Sequence, residues 1–311
     1  MVAKALAKLI LAIGAVLPTQ TVRWLARKIG RAVYWVPAAR EGLLLNARHI
    51  LGERSSHQQR RDLAHGVLDS FALALSDLVL AGRLWRADIG ENGDSISSPV
   101  TDKFEVVQYE NLERVSRSAK GSGFVTVTLH MGSYEAGCML LARKRSPVTI
   151  VYHRDPAGFF EELRSRQRHR FPVEEIAIDS SPFFAVDLLQ RLKSGGTVLL
   201  AGELAARLHG EPFPFLDGTA HFSLWPARLA VTAGVPILPA FMVRARDNSL
   251  RIHLETPIEC HEGDDPRAVM ENLVPVFEDY VRRYPDQWLM VRSLWDESVE
   301  TSNHEFRMNA Q

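Results

Sequence analysis

From Glu105 onward the chain switches repeatedly between two periodicities, and this constrains its fold more than any other feature. Short β-branched and aromatic runs ("EVVQY", "GFVTVTL", "VTIVY", "EEIAI", "TVLLAG") alternate with amphipathic stretches of about three turns ("NLERVSRSA", "EAGCMLLARK", "GFFEELRSRQRHRF", "SPFFAVDLLQRLKSG"). Further on come "SLWPARLAVTAG" as a helix, "VPILPAFMVR" and "LRIHLETPI" as strands, and "DPRAVMENLVPVFEDYVRRYP" as a closing helix. Such alternation predicts an α/β fold with a mostly parallel central sheet flanked by helices. Ligands in such sheets sit beyond the carboxyl ends of the strands. Before this region the text from Asn46 to Leu84 has helical period without proline, and Arg86–Val100 reads as a polar connector.

The first 45 residues have a different character. No Asp or Glu precedes Glu41, whereas Lys4, Lys8, Arg23, Arg27, Lys28, Arg31 and Arg40 all do. Leu9–Leu17 is an apolar run about half the length of a membrane span, and it resembles a signal-peptide core that lacks a convincing cleavage site. In "TVRWLARKIGRAVYW" a helix places Val22, Leu25, Ala26, Ile29 and Val33 on one side and the cations on the other, with Trp24, Tyr34 and Trp35 suited to headgroup depth. The expected organisation is a basic amphipathic, membrane-associating segment over 1–45, a main domain over 46–300 and a polar tail over 301–311. Over the whole chain 37 Lys and Arg balance 37 Asp and Glu, which gives no support for nucleic-acid binding. Cys138 and Cys260 form no metal or redox motif, and the remaining histidines show no metal-ligand spacing.

The chemistry-bearing stretch is Thr128–Gly137, "TLHMGSYEAG". His130 ends a strand and Glu135 opens a helix, so the pair meets only if the chain turns between them, at Gly132. Glu135, favoured by the helix dipole, would then accept from one imidazole nitrogen and leave the other as a general base. Arg154 follows the next strand on the same edge and is a candidate for binding phosphate or carboxylate. Glu203, at the end of "TVLLAG", is either a structural ion-pair member or an acceptor-positioning carboxylate. Arg164, Arg166, Arg168 and Arg170 form a basic cluster that reads mainly as a solvated helix, with Glu162 pairing to Arg166. "GEPFPFLDGTAHF" is either a buried crossing loop or the wall of an acyl groove.

"TLHMGSYE" resembles the H-x-x-x-x-[DE] block of the lysophospholipid acyltransferase superfamily, and more closely the H-x-G-N-W-E block of the late acyltransferases of lipid A biosynthesis. "VYHRDP" with "LRSRQRHR", "LKSGGTVLLAGE", "GVPILPAFMVR" and "YPDQWLMVRSLW" resemble that family's further blocks in the same order, over roughly Asn46 to Trp295. Ser133-Tyr134 replace its Asn-Trp, and Gly202-Glu203-Leu204 its Asp-Gln, which leaves the acceptor open. The resemblance implies a glycerolipid acyltransferase-like fold with N-terminal amphipathic helices. It implies transfer of a fatty acyl group from acyl-ACP or acyl-CoA, a co-substrate rather than a cofactor, to a hydroxyl or amine of a lipid or glycolipid, as in lipid A acylation. His130 and Glu135 would be catalytic, and Arg154, Arg164, Glu203 and Gly132 would contact substrate, without a metal. Membrane lipid and acyl carrier protein are the implied partners, at the cytoplasmic face of the bacterial inner membrane. The alternatives are a different acceptor (phospholipid, aminolipid or pigment precursor), a thioesterase, or a non-catalytic lipid-binding protein.

Overall fold

The computed structural model describes residues 2–84, 104–144, 147–154, 159–169, 171–178, 181, 183–203 and 210–295. The 86–100 connector and the 301–311 tail lie outside them. In chain order the elements are α1 (Val2–Val16), α2 (Thr19–Ala32), α3 (Pro37–Leu51), α4 (His57–Leu84), β1 (Phe104–Val107), α5 (Glu110–Ser118), β2 (Phe124–Thr128), α6 (Tyr134–Lys144), β3 (Val148–Tyr152) and α7 (Phe159–Arg168). They continue with β4 (Val173–Ala177), α8 (Phe184–Lys193), β5 (Thr197–Ala201), β6 (Glu211–Phe215), β7 (Gly218–Phe222), α9 (Trp225–Ala233), β8 (Ile237–Arg244), β9 (Leu250–Leu254) and α10 (Pro266–Arg283).

Seven strands form one sheet in the order β1-β9-β8-β2-β5-β3-β4. Every neighbouring pair is parallel except β8 with β9. The α/β layering is as the alternation predicts. Along β2, Val125 and Val127 point into a core shared with α8, α9 and α10, while Phe124 packs with Leu112 and Val115 of α5 on the opposite face. Both faces are covered, which is why β2 is buried at all five positions.

Two stretches gain detail that the sequence expectation lacked. The Asn46–Leu84 stretch is two helices, broken at Gly52 with φ 82°. The second begins with a capping box: Gln59 N–H donates to Ser56 Oγ at 3.2 Å, and Ser56 N–H to Gln59 Oε1 at 2.8 Å. "GEPFPFLDGTAHF" is a β6–β7 hairpin whose Phe213, Phe215 and Phe222 are buried in the main core with Phe277 and Trp288. It is therefore core, not the wall of a groove.

The N-terminal helices pack on α4. A Cβ at Gly30 would lie 3.0 Å from that of Ala72, Arg31 pairs with Asp69 at 2.6 Å, and Val22 is buried. Only part of the apolar stripe is used in this way. Trp24, Leu25 and Ile29 remain exposed beside Arg27 and Lys28. By length and apolarity α4 would pass for a membrane span, but half of its apolar window is buried inside the protein, and its Asp77 is 1% exposed in an ion-pair network. These features make it a core helix.

Candidate active site

The site is positioned by strand register. β2 and β5 are adjacent and parallel, with Thr128 opposite Ala201, and Gly202 N–H donates to Thr128 O at 2.8 Å. His130 and Glu203 each follow that pair by two residues, so the ladder delivers them side by side at the carboxyl edge of the sheet. Oε1 of Glu203 accepts from His130 N–H at 2.5 Å and lies 3.1 Å from His130 Nδ1. With Nδ1 donating, Nε2 is the basic nitrogen. Glu203 is fully buried, and its Oε2 has no hydrogen-bond partner among the described residues.

The imidazole's carboxylate partner is thus Glu203, whereas the sequence suggested Glu135. Both oxygens of Glu135 are taken by Arg168, whose Nε and Nη2 donate at 2.9 and 2.7 Å. Arg168 also donates to Glu175 at 2.7 Å and is 4% exposed, so it is a buried clamp between α6, α7 and β4, not a solvated helix residue. The reason is geometric: Glu135 sits in the first turn of α6, facing the buried end of α7, while the strand ladder places Glu203 against the ring. Glu135 still lines the cleft and adds to the field at His130.

The turn from His130 to Glu135 is tightly held. Gly132 has φ 50°, and a Cβ there would lie 2.3 Å from Met242 O, so the position requires glycine twice over. Its N–H donates to Gln287 O at 2.8 Å, so this amide is already occupied. Gln287 also brackets Arg244, accepting from its N–H at 2.7 Å and donating to its carbonyl at 2.8 Å, and Leu289 N–H donates to His130 O at 2.7 Å. The "YPDQWLM" block is therefore the strap across the turn. On the other side Ser133 Oγ donates to the buried Asp77 of α4, which also accepts from Arg244 and, at 3.3 Å, from Arg23 of α2.

A cleft of about 400 Å³ opens beside His130, lined also by Tyr134, Cys138, His153, Arg164 and Trp225. Tyr134 meets the imidazole edge-on, with ring centroids 5.1 Å apart. Arg164 lies 3.8 Å from Glu135 and is 20% exposed, which leaves a cation at the cleft. Arg154 is exposed two residues beyond β3 and does not line the cleft. Burial alone would lower the pKa of His130. The charge and hydrogen bond of Glu203, with the charge of Glu135, outweigh that and raise it above its ordinary 6.5. Cys138, the thiol in the cleft, is pushed up to about 12 by burial and by Glu135. It therefore holds its proton and is no nucleophile at neutral pH. Next to the cleft, on the α5–α6 side of the sheet, lies an almost wholly apolar pocket that shares Thr128 and Leu199 with it.

An α/β protein that sets an imidazole–carboxylate pair at the carboxyl edge of its sheet has the build of general-base transferases and hydrolases. The chain belongs to the bacterial lipid A biosynthesis acyltransferase family, whose sequence model matches residues 3–297. It is similar to a phosphatidylinositol mannoside acyltransferase of Mycobacterium tuberculosis, 25% identical over 180 residues, covering 57% of this chain and 56% of the relative. A phosphatidylinositol mannoside acyltransferase of Mycolicibacterium smegmatis is 24% identical over 264 residues, covering 80% of this chain and 82% of the relative. The chain thus spans about half the length of the Mycobacterium tuberculosis relatives it matches, 56%.

Proposed function

We propose that this protein transfers a fatty acyl group from an acyl thioester, acyl-ACP or acyl-CoA, to a hydroxyl of a glycolipid. The observation that carries the reading is the His130–Glu203 pair opening onto a cleft that adjoins an apolar pocket. Nε2 of His130 removes the hydroxyl proton as the oxygen attacks the thioester carbonyl. The tetrahedral intermediate then expels the thiolate, which takes up the proton. Glu203 stabilises the transient imidazolium, a role that Glu135 supports only through its field. General-base help of this kind contributes about 10²–10⁴ in rate. Arg164 is the cation placed to meet negative charge in the cleft, and Arg154 is a candidate for an anionic group outside it. The adjoining apolar pocket, about 60 Å³, takes a short stretch of the acyl chain, at about 0.8 kcal/mol per methylene buried.

The acceptor most consistent with the family is a lipid A precursor. The names of the relatives favour a phosphatidylinositol mannoside as the second candidate. The exposed Trp24, Leu25 and Ile29 beside Arg27 and Lys28 support peripheral attachment to an anionic membrane face through α2, as expected for the cytoplasmic leaflet.

The test presents acyl-ACP or acyl-CoA with each glycolipid and identifies products by mass spectrometry. Acylated glycolipid from the wild type, and none from a folded His130→Ala variant, is the expected result. Thioester consumption with free fatty acid as the product would make the protein a thioesterase. Stoichiometric lipid without turnover would make it a binding protein.

A further inference from the structure

A second cleft of about 560 Å³ lies on the opposite side of the His130–Glu135 turn, with Gly132 and Ser133 forming part of its wall. Four guanidiniums line it: Arg244, Arg246 and Arg251 from the β8–β9 hairpin, and Arg283 from the end of α10. Asp286 is the one carboxylate among its described lining residues. We propose that this cleft binds the phosphate of a glycerophospholipid headgroup.

Three of the four arginines have a carboxylate neighbour. Arg244 meets Asp77, Arg251 Nε lies 2.8 Å from Glu105, and Arg283 pairs with Asp279. One carboxylate engages only part of a guanidinium's five N–H donors, so donors remain for a ligand. Arg246 is exposed and has no carboxylate partner among the described residues. Arg283 lies over the ring of Tyr280 at 4.3 Å, which fixes its orientation before any ligand arrives. Burial lowers the pKa of Arg244. Asp77 opposes this, but the like charges of Arg23 and Arg27 add to it, and the value stays below its ordinary one. Guanidinium donors gathered in a concave site draw an anion, and forked guanidiniums match phosphate oxygens bidentately.

A lipid headgroup is favoured as the source by what borders the cleft. Arg244 and Arg23 share Asp77, and Arg23 belongs to α2, whose outward side carries Trp24, 58% exposed, and Ile29, 71% exposed. A phospholipid in the membrane under α2 could place its phosphate among these arginines while its chains stay in the bilayer. The choice of headgroup rests on the interfacial reading of α2. The cleft itself is independent of it and of the acyl-transfer reaction.

The experiment titrates sn-glycerol 3-phosphate, as a soluble headgroup, into the full chain by calorimetry, comparing wild type with Arg246→Ala/Arg251→Ala. Both side chains are solvent-accessible, so the fold should tolerate the change. Saturable binding, weakened about tenfold or more in the double variant, is expected for lost charge-assisted contacts. Flotation with phosphatidylglycerol-containing and pure phosphatidylcholine vesicles should show the double variant losing its preference for the anionic vesicles. Absence of saturable glycerophosphate binding, or equal binding in the two proteins, overturns the proposal. So does an unchanged vesicle preference. If the double variant instead loses coenzyme A while keeping glycerophosphate, the cleft serves the donor and the headgroup assignment is wrong. Loss of vesicle binding with intact glycerophosphate binding in a Trp24→Ser/Ile29→Ser variant separates failure of the α2 surface from failure of the cleft.

Discussion

Replacing Glu203 by glutamine isolates what its charge does for His130. In the protein one oxygen of Glu203 accepts from both the His130 backbone N–H and Nδ1. The amide oxygen of glutamine should keep that place, because the backbone N–H still needs an acceptor. The ring tautomer is then preserved and only the negative charge is lost. Two unit charges about 4 Å apart interact by about 4 kcal/mol at an effective dielectric of 20. The amide dipole recovers part of this, so a fall in kcat/KM of about 10² is expected. The pH profile is the sharper readout. The pKa of His130 is raised above 6.5, so the basic ring, and with it activity, should appear only as pH climbs through that higher value. The same sign applies to stability. The pair's contribution is complete below 6.5 and is lost as pH rises through the folded-state value. Without the charge of Glu203, burial becomes the dominant influence and the acid limb should move below 6.5. Glu135→Gln should move the limb less than Glu203→Gln does, because Glu203 is the leading cause of the rise. Thiol release from a soluble acyl thioester, followed over about pH 5 to 9, measures both profiles. A limb that stays put in Glu203→Gln and moves in Glu135→Gln would refute this assignment of partners.

Three further outcomes follow from the same geometry. Glu135→Ala strips the buried Arg168 of its bidentate partner and leaves it Glu175 alone, so chemical denaturation should show a loss of about 3 kcal/mol. Gly132→Ala combines a positive φ with a Cβ 2.3 Å from Met242 O, and both melting temperature and turnover should fall, by about 1–3 kcal/mol in stability. Cys138→Ala should retain turnover, and iodoacetamide should not inactivate the folded wild type, because the buried thiol stays protonated.

Much of this architecture is legible in the sequence because its causes are local. The alternation of periodicities fixes the layers, and Gly132 announces a turn between strand and helix. Ser56 and Gln59 spell a capping box that marks the start of α4 inside what otherwise reads as one continuous helical stretch. The β6–β7 hairpin also had a local signal, the Asp217-Gly218 pair between apolar runs, although the two turn residues are Leu216 and Asp217, with Leu216 at φ 58°. What sequence does not carry is the lateral order of strands. Arg168 shows the same limit, since in the sequence it is one of four closely spaced arginines, Arg164, Arg166, Arg168 and Arg170, with nothing to single it out. Only the docking of α7 against α6 and β4 makes it a buried clamp.

That limit explains why two carboxylates competed for one imidazole. Glu135 is five residues from His130 and Glu203 is seventy-three, so proximity in sequence favours Glu135. Proximity in space is decided by β5 lying beside β2 with Thr128 opposite Ala201, a pairing that aligns the two residues following each strand. The consequence is a division of labour that one short motif conceals. Its carboxylate ties down the α6 end of the turn through Arg168, while a carboxylate from the next strand over holds the imidazole at Nδ1. Perturbing β5 register should therefore uncouple the two: a single-residue insertion between Ala201 and Glu203 would leave the Glu135–Arg168 clamp intact yet turn the carboxylate away from the ring.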